Sequence, residues 1–359
     1  MILFYGALGD SVGGGESGNK RTLFFLKKIG CDVLVVKKPY PHKSKLKYIL
    51  YPLSLLWSII RFSFKLKDVK YSHISAFYGN LIYVEIILVL ISKLLKKTVV
   101  YEIRGGGMDY FLQEKGFFYS FCFKVVIRLS DVILSQGKEN FNTINLITLG
   151  RKNIHHYPNV LSEDKISSQL INRDYTGNLN LIFFGRLTKD KNIDIIIEVL
   201  KDLILKKKSD CNLLLVGEFS DSLYQEEIKK SIIGFENHIT IIPPCSFKDL
   251  QTYLMDSHFF IFPSSNLREG QSNSLTEALL FGLIPVASDQ GFNKSTINNE
   301  LFMIKEINIE EISNKLIELI KLGHGRLKSI SKELQCEARI KFSEKKVINT
   351  LKEIYEERG

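Results

Sequence analysis

The chain has 359 residues, of which 45% are hydrophobic and 25% are charged, a globular composition that excludes disordered, collagen-like and coiled-coil proteins. This length predicts two domains. The net charge of +10 is uneven, because residues 1–160 carry +13 and residues 161–359 carry −3. The basic half indicates an anionic partner, or else a solvated lysine-rich surface.

The five cysteines are scattered and form no CxxC pair. This pattern excludes a disulfide scaffold and a structural zinc site, and it indicates a reducing compartment. The chain starts on an apolar, strand-like segment without the basic and apolar regions of a secretory signal, so a cytoplasmic location is expected.

Short apolar runs alternate with helix-length segments along the whole chain. Several runs are continuously apolar, as in strands that are buried on both faces of a parallel sheet. Five such runs in each half predict an α/β protein with two Rossmann-like, doubly wound domains. The predicted strands are Ile2–Tyr5, Asp32–Val36, Tyr71–Ala76, Val99–Ile103, Val132–Leu134, Asn180–Phe184, Asn212–Val216, Ile239–Ile242, Phe259–Phe262 and Ile284–Ala287.

A polar stretch at residues 158–178 lacks periodicity and marks the domain break. We predict an N-terminal domain over residues 1–160, a linker over 161–178 and a C-terminal domain over 179–340. A last helix within 341–359 is expected to pack back on the N-terminal domain. Because ligands of doubly wound sheets bind beyond the carboxyl ends of the strands, we expect the site in a cleft where the two domains face each other.

The first glycine motif, GGGESG at residues 13–18, has the form GxGxxG. Seven residues separate this motif from the strand before it, and the second strand is followed by lysines instead of an acidic residue, so an NADP site is a weak alternative. We favour a loop in which the backbone at Gly14 or Gly15 approaches a phosphate oxygen at a helix N-terminus. A plain surface turn is the other alternative.

An uncharged segment, Tyr48–Ile60, is too short for a transmembrane helix, which needs about 20 residues. It contains the only tryptophan and is flanked by basic residues on both sides, which is typical of a helix that lies in the headgroup region of an anionic membrane. The alternative is a core helix with basic ends. The basic residues in question are Lys43, Lys45, Lys47, Arg61, Lys65, Lys67 and Lys70.

Arg104 and three glycines directly follow the strand Val99–Ile103. An arginine at the carboxyl end of a strand, with a flexible backbone behind it, is placed to face a ligand. The alternative is a turn in which Arg104 pairs with Glu102 or Asp109.

The segment Gly185–Asn192 (GRLTKDKN) follows the first strand of the second half. Arg186 and Lys191 are five residues apart around a predicted helix N-terminus, an arrangement that can hold a diphosphate. The chain has no DxD carboxylate pair for Mg²⁺ or Mn²⁺, and no histidines at metal-ligand spacing, so we predict no metal and no other cofactor.

The most specific motif is EGQSNSLTE, which begins at Glu269 and ends at Glu277 after an apolar strand and a PSS turn. Carboxylates accept paired hydrogen bonds from vicinal hydroxyls, so Glu277 suits a ribose and Glu269 a sugar. The backbone between them opens a helix and offers N–H donors to a phosphate. The predicted donor-binding residues here are Gly185, Gly270, Gln271, Ser272, Asn273, Ser274 and Leu275.

Together, GRLTKDK, LLLVGE, FIFPSS, EGQSNSLTEALLFGLIPVAS and RIKFSEKKVINTLKEIY resemble the retaining GT-B glycosyltransferases of family 4. The resemblance is specific over residues 179–359 and looser over 1–160. It implies that Glu269 contacts the donor sugar, Glu277 the ribose, and Arg186 and Lys191 the diphosphate. Arg104 stands where the family often has a histidine near the sugar or acceptor. Gln271 and Ser272 replace the usual aromatic-small pair, so the motif does not identify the donor.

The resemblance implies a metal-independent retaining transferase. It would move a hexose or N-acetylhexosamine from a nucleotide sugar, with a UDP-sugar favoured, to a lipid-linked diphosphate glycan or an oligosaccharide. Such an enzyme would build O-antigen or capsule at the cytoplasmic face of the plasma membrane, held there by anionic lipid. An inactive GT-B scaffold subunit and a GT-B epimerase are the alternatives. No nucleic-acid partner is expected, since the basic half is rich in apolar residues and has no recognisable nucleic-acid-binding motif.

Overall fold

A computed structural model describes residues 1–9, 14–40, 47–76, 79–166, 169–206 and 210–356. The chain divides into two compact units. The N-terminal unit comprises Met1–Asn159 together with Lys345–Gly359, and the C-terminal unit comprises Val160–Glu344. Each unit is built around its own parallel sheet.

The N-terminal unit contains a six-stranded parallel sheet in the order β2-β1-β3-β4-β5-β6. Its strands are β1 (Ile2–Gly6), β2 (Val33–Lys37), β3 (Tyr71–Ala76), β4 (Thr98–Ile103), β5 (Val132–Ser135) and β6 (Asn153–His156). Its helices are α1 (Gly14–Lys28), α2 (Lys47–Lys65), α3 (Ile82–Leu94), α4 (Met108–Glu114), α5 (Gly116–Leu129) and α6 (Asn140–Thr148).

The two faces of this sheet are covered differently. Alternate strand residues, such as Tyr5, Ile74 and Tyr101, form one apolar cluster with the buried sides of α2, α3 and α5. The residues between them point to the other face, where α1 lies. That second face contains the buried polar groups His73 and Glu102.

The C-terminal unit also contains a six-stranded parallel sheet, in the order β12-β11-β10-β7-β8-β9. Its strands are β7 (Leu179–Phe184), β8 (Cys211–Val216), β9 (Ile239–Ile242), β10 (Phe259–Phe262), β11 (Ile284–Ser288) and β12 (Met303–Ile304). Its helices are α7 (Ile193–Leu205), α8 (Ser222–Ser231), α9 (Phe247–Asp256), α10 (Asn273–Leu280), α11 (Asn293–Ile297), α12 (Ile309–Ile320) and α13 (His324–Lys341).

The last helix, α14 (Glu344–Tyr355), belongs to the N-terminal unit in all but its first residue. The Tyr355 hydroxyl lies 2.7 Å from Nδ1 of His73 on β3. The Tyr355 ring also meets the ring of Tyr71 edge-on, at a centroid distance of 4.9 Å. Helix α14 therefore covers part of the second face of the N-terminal sheet.

The α/β fold class is confirmed, since both halves are parallel sheets flanked by helices. All ten predicted strands are present, with ends that differ by at most one residue. The sequence analysis missed β6 and β12. Strand β6 is an edge strand with the sequence NIHH, and β12 has only two residues, so neither shows an apolar run. In the part of the chain that the structure describes, we find no helix with the length and hydropathy to cross a bilayer.

Candidate functional site

The candidate site of the C-terminal unit lies at the carboxyl ends of β7 and β10. Lys191 follows β7 in a short 3-10 turn, and its ammonium forms an ion pair with the Glu269 carboxylate. The same ammonium lies 3.1 Å from Oγ of Ser264 and 4.9 Å from the centre of the Phe262 ring. The Lys191 side chain is only 8% exposed, so this cation is held almost without solvent.

Backbone and amide hydrogen bonds hold the Lys191 turn against the loop after β10. The N–H of Ser265 donates to the Asp190 carbonyl at 2.9 Å, and the Asn266 amide donates to the Asp190 carboxylate at 3.2 Å. The Asn192 amide donates to the carbonyl of Pro263 at 2.6 Å. The position of Lys191 is therefore fixed by several contacts that do not involve its own ammonium.

The Glu269 backbone is positioned by Gly291, which follows β11. Gly291 has a φ of +58°, and a Cβ atom there would lie 1.8 Å from the Glu269 carbonyl oxygen. Only glycine allows this approach. The sequence analysis missed Gly291, although its place just beyond the carboxyl end of a predicted strand was a usable signal.

Helix α10 begins between the two glutamates. Oγ of Ser272 caps it by accepting a hydrogen bond from the Leu275 N–H at 3.2 Å, and the Gln271 amide donates to Oγ1 of Thr276 at 2.8 Å. Gln271 and Ser272 are buried, whereas Asn273, Ser274 and Glu277 are half-buried. The first N–H groups of a helix have no carbonyl partner within it, so this end can receive an anion.

Gly185 brings the β7 loop against the start of α10. Gly185 has a φ of +135°, and a Cβ atom there would lie 3.1 Å from Oγ of Ser274. Gly217 supports this approach from β8, because a Cβ at Gly217 would lie 1.7 Å from the Gly185 carbonyl oxygen. Gly217 is a second position that the sequence analysis did not assign to the site.

Arg186 is exposed next to this contact. Among the residues that the structure describes, its side chain has no hydrogen-bond or ion-pair partner. The structure thus places Gly185 against Ser274 and pairs Lys191 with Glu269. Arg186 directly follows Gly185, and Glu277 lies on α10, as Ser274 does.

Arg104, in the N-terminal unit, lies in a buried polar network. Its guanidinium forms an ion pair with Glu102 and donates to the Gly18 carbonyl at 2.8 Å and to Oγ1 of Thr22 at 2.6 Å. A Cβ at Gly18 would lie 1.8 Å from a guanidinium nitrogen, so a larger residue there would displace the Arg104 side chain. The alternative interpretation, an Arg104–Glu102 pair, is therefore observed, and the guanidinium fastens α1 to β4.

The network continues from Glu102 to His73, whose Nε2 lies 2.9 Å from the Glu102 carboxylate. Burial acts to raise the pKa of Glu102, but Arg104 and His73 outweigh burial and hold this pKa below its ordinary value of 4.5. Burial also raises the pKa of Tyr157 and of Tyr355, so both phenols stay protonated. Glu102 is thus a carboxylate that is buried and fully paired.

Gly14 and Gly15 open α1 just beyond the carboxyl end of β1. Asn19 fixes this end of the helix, since its amide donates to the Ala7 carbonyl at 2.9 Å and accepts from Oγ of Ser75 at 2.6 Å. Gly13, the first glycine of the GxGxxG pattern, and the basic residues Lys43 and Lys45 lie outside the described residues. Within the described part of the chain, no cluster of three or more His, Cys, Asp or Glu side chains could hold a metal ion.

Residues 168–339 match the family described as Glycosyl transferases group 1. An uncharacterized glycosyltransferase of Methanocaldococcus jannaschii, MJ1069, is 26% identical over 275 residues, which are 73% of this chain and 68% of that protein. A glycosyltransferase from Rickettsia africae has a similar structure, with a TM-score of 0.75 at 18% identity over 99% of this chain and 97% of the other.

HepE (Alr3699) of Anabaena, solved in complex with UDP, is also similar, with a TM-score of 0.69 at 16% identity over 98% of both chains. At such identities the structural likeness shows the fold, which is that of the GT-B glycosyltransferases. Residues 168–339 are therefore similar to the glycosyl transferases group 1 family, in a chain with the two-sheet GT-B fold.

Proposed function

We propose that this protein is a retaining, metal-independent glycosyltransferase of the family 4 type. It transfers a hexose or N-acetylhexosamine from a UDP-sugar to a lipid-linked diphosphate glycan or an oligosaccharide, in building a surface polysaccharide such as O-antigen or capsule. The observation that carries this proposal is the buried Lys191–Glu269 pair beside the N-terminus of α10. The UDP bound by HepE supports uracil as the donor base.

In this proposal, Lys191, Arg186 and the first N–H groups of α10 bind the donor diphosphate. Arg186 is exposed and has no partner in the described part of the chain, so its guanidinium can turn to a phosphate without breaking an existing contact. Lys191 is already desolvated, so its attraction to a developing phosphate charge is weakly screened. One preorganised donor of this type contributes about 3–4 kcal/mol of transition-state stabilisation.

Glu269 forms an ion pair with Lys191, and we assign it a second role toward the sugar. When a diphosphate takes over the ammonium, the Glu269 carboxylate is released to accept hydrogen bonds from sugar hydroxyls. Glu277, one turn into α10, accepts from the ribose hydroxyls. Gly14 and Gly15, at the start of α1, let backbone N–H groups approach a phosphate oxygen.

The proposed step is a front-face displacement. The bond between the anomeric carbon and the phosphate oxygen breaks, and a bond from the acceptor oxygen forms on the same face of the sugar. The acceptor proton moves to the departing phosphate oxygen, so no side-chain nucleophile is needed. Arg104 contributes by holding α1 in place and has no contact with substrate in this proposal.

A thermal-shift panel of nucleoside diphosphates and sugar nucleotides tests the proposal. UDP at about 100 times its Kd should raise the free energy of unfolding by about 2.7 kcal/mol. Release of UDP from a UDP-sugar only when an acceptor is present would separate a transferase from an epimerase and from an inactive scaffold. No stabilisation by any nucleoside diphosphate would contradict the proposal.

The division of roles between the glutamates gives a second test. Glu277→Gln should weaken binding of free UDP, because a charged acceptor for the ribose is lost. Glu269→Gln should spare free UDP and weaken binding of the intact sugar nucleotide. Each loss should amount to about 1.5–3 kcal/mol, measured by calorimetry. If the two variants had the same affinities for both ligands, the assignment of ribose and sugar would be wrong.

A further inference from the structure

Helix α2 has an exposed apolar side that the core does not use. Its inner side is buried at Phe62, whereas Leu53, Trp57 and Phe64 are 58%, 60% and 68% exposed. Residues at spacings of four and seven share one face of a helix. These three side chains therefore form an apolar stripe along the outside of α2.

The neighbouring helices continue this stripe. Helix α3 packs beside α2 and beside α5, and it exposes Tyr83, Ile87 and Leu90 at spacings of four and three residues. On α5, Phe117 and Phe118 are 85% and 65% exposed. The rings of Tyr83 and Phe118 are stacked with centroids 5.6 Å apart, so the apolar surfaces of α3 and α5 are joined. We call the outer surfaces of α2, α3 and α5 the apolar face.

The charges on these helices have a single sign at the surface. The sequences of α2 and α5 contain no Asp or Glu, and the one carboxylate of α3, Glu85, is buried and accepts a hydrogen bond from Tyr101. Arg61 on α2 and Lys124 on α5 are exposed. Exposed carboxylates lie outside these helices, for example at Asp68 after α2 and at Glu114 before α5. An apolar surface whose own helices expose only basic charges complements an anionic membrane.

The apolar face also reaches the edge of the sheet where ligands bind. Helices α3 and α5 begin at the carboxyl-end edge, after β3 and β4, so Tyr83, Phe117 and Phe118 lie at that edge. We propose that the apolar face docks on an anionic lipid bilayer and that the aromatic side chains at the start of α5 insert into its interface. This inference rests on the proposed function in one respect, because docking there brings a lipid-linked acceptor to the strand ends of the N-terminal unit.

Co-sedimentation of the full chain with vesicles tests this docking. The protein should bind vesicles of phosphatidylcholine and phosphatidylglycerol, bind pure phosphatidylcholine weakly, and dissociate as salt is added. Phe117→Glu should lower the vesicle partition coefficient by about tenfold or more, because the aromatic side chain that inserts into the bilayer is lost. Arg61→Glu and Lys124→Glu should each lower it by about fivefold or more at low salt.

Matched controls lie on α1, on the opposite face of the sheet. Phe24 is 53% exposed and Lys20 is exposed, so Phe24→Glu and Lys20→Glu make the same changes elsewhere in the same unit. Both controls should keep vesicle binding. Equal binding of all variants would overturn the proposal, as would self-association without lipid that Phe117→Glu abolishes, since a second copy would then cover the face.

Stabilisation by UDP, measured on the same samples, separates this inference from the proposed function. A wild-type protein that UDP stabilises but vesicles do not bind would refute the docking alone. A protein that binds anionic vesicles but responds to no nucleoside diphosphate would refute the proposed function and leave the docking intact.

Discussion

Lys191→Ala should lower the kcat of glycosyl transfer by about a hundredfold or more while the C-terminal unit remains folded. In the proposed mechanism, the nearly buried ammonium stabilises charge on the leaving diphosphate without first losing a water shell, and such a donor is worth about 10²–10³ in rate. The turn that carries Lys191 is held by Asp190 and Asn192 contacts, so the backbone should keep its place. Transfer rates and the thermal midpoint of the purified variant check both parts.

Lys189→Ala is a matched control in the same turn. The Lys189 side chain is 65% exposed and lies 3.7 Å from Glu227, so its loss should change transfer by less than about twofold. Arg186→Ala should resemble Lys191→Ala if both cations bind the diphosphate. Activity of Lys191→Ala within about threefold of wild type, or wild-type transfer that requires Mn²⁺, would contradict a metal-free charge clamp.

Arg104→Leu should lower the free energy of unfolding by about 3–5 kcal/mol, because it leaves the Glu102 carboxylate buried with only His73 and Thr22 beside it. The variant Arg104→Leu/Glu102→Leu should recover part of this loss, since no buried charge remains unpaired. Urea denaturation measures both. Arg128→Leu is the control, because Arg128 is exposed and donates only to a carbonyl, that of Ile147.

The Arg104–Glu102 pair also predicts that the free energy of unfolding depends on pH. The pKa of Glu102 is lower in the folded protein than its ordinary value of 4.5, so its ionisation stabilises the fold above that pH. This contribution is lost as the pH falls from 4.5 through the lower folded-state value. Glu102→Gln should therefore reduce the slope of stability against pH in this acid range. If Arg104→Leu instead kept full stability and lost only kcat, Arg104 would act on the substrate and not on the fold.

The ten long strands were predictable because an apolar run is a local property of the sequence. In inner strands such as β1 and β10 the run reports burial on both faces, and the edge strands β2 and β9 keep an apolar run although they are partly exposed. The EGQSNSLTE motif was recognisable for a similar reason, since its turn, cap and helix are adjacent in sequence. The contacts that shape the site are different. Gly217 and Gly291 are required by carbonyl groups of Gly185 and Glu269, which belong to other loops. The places of these glycines just after predicted strands put them at the ligand-binding edge of the sheet, but the sequence does not show which carbonyl groups they approach.

The position of Arg104 shows the same limit. Its place after a strand predicted a side chain that faces a ligand, but Gly18 and Thr22 on α1 surround the guanidinium instead. The sequence left open whether the apolar segment Tyr48–Ile60 of α2 lies in the core or at a membrane surface. An apolar helix has the same sequence pattern whether one side or both sides are buried. Only the packed structure shows which side of the helix is exposed to solvent.

The return of α14 has a consequence for how the protein is made. Tyr355 is 282 residues away from His73, its hydrogen-bond partner, so the part of the N-terminal sheet that α14 covers stays open until nearly the whole chain has been synthesised. The C-terminal unit is continuous in sequence and meets no such delay. A nascent chain that has emerged only to residue 344 therefore exposes Tyr71 and His73, and a chaperone can bind this part of the sheet at that stage.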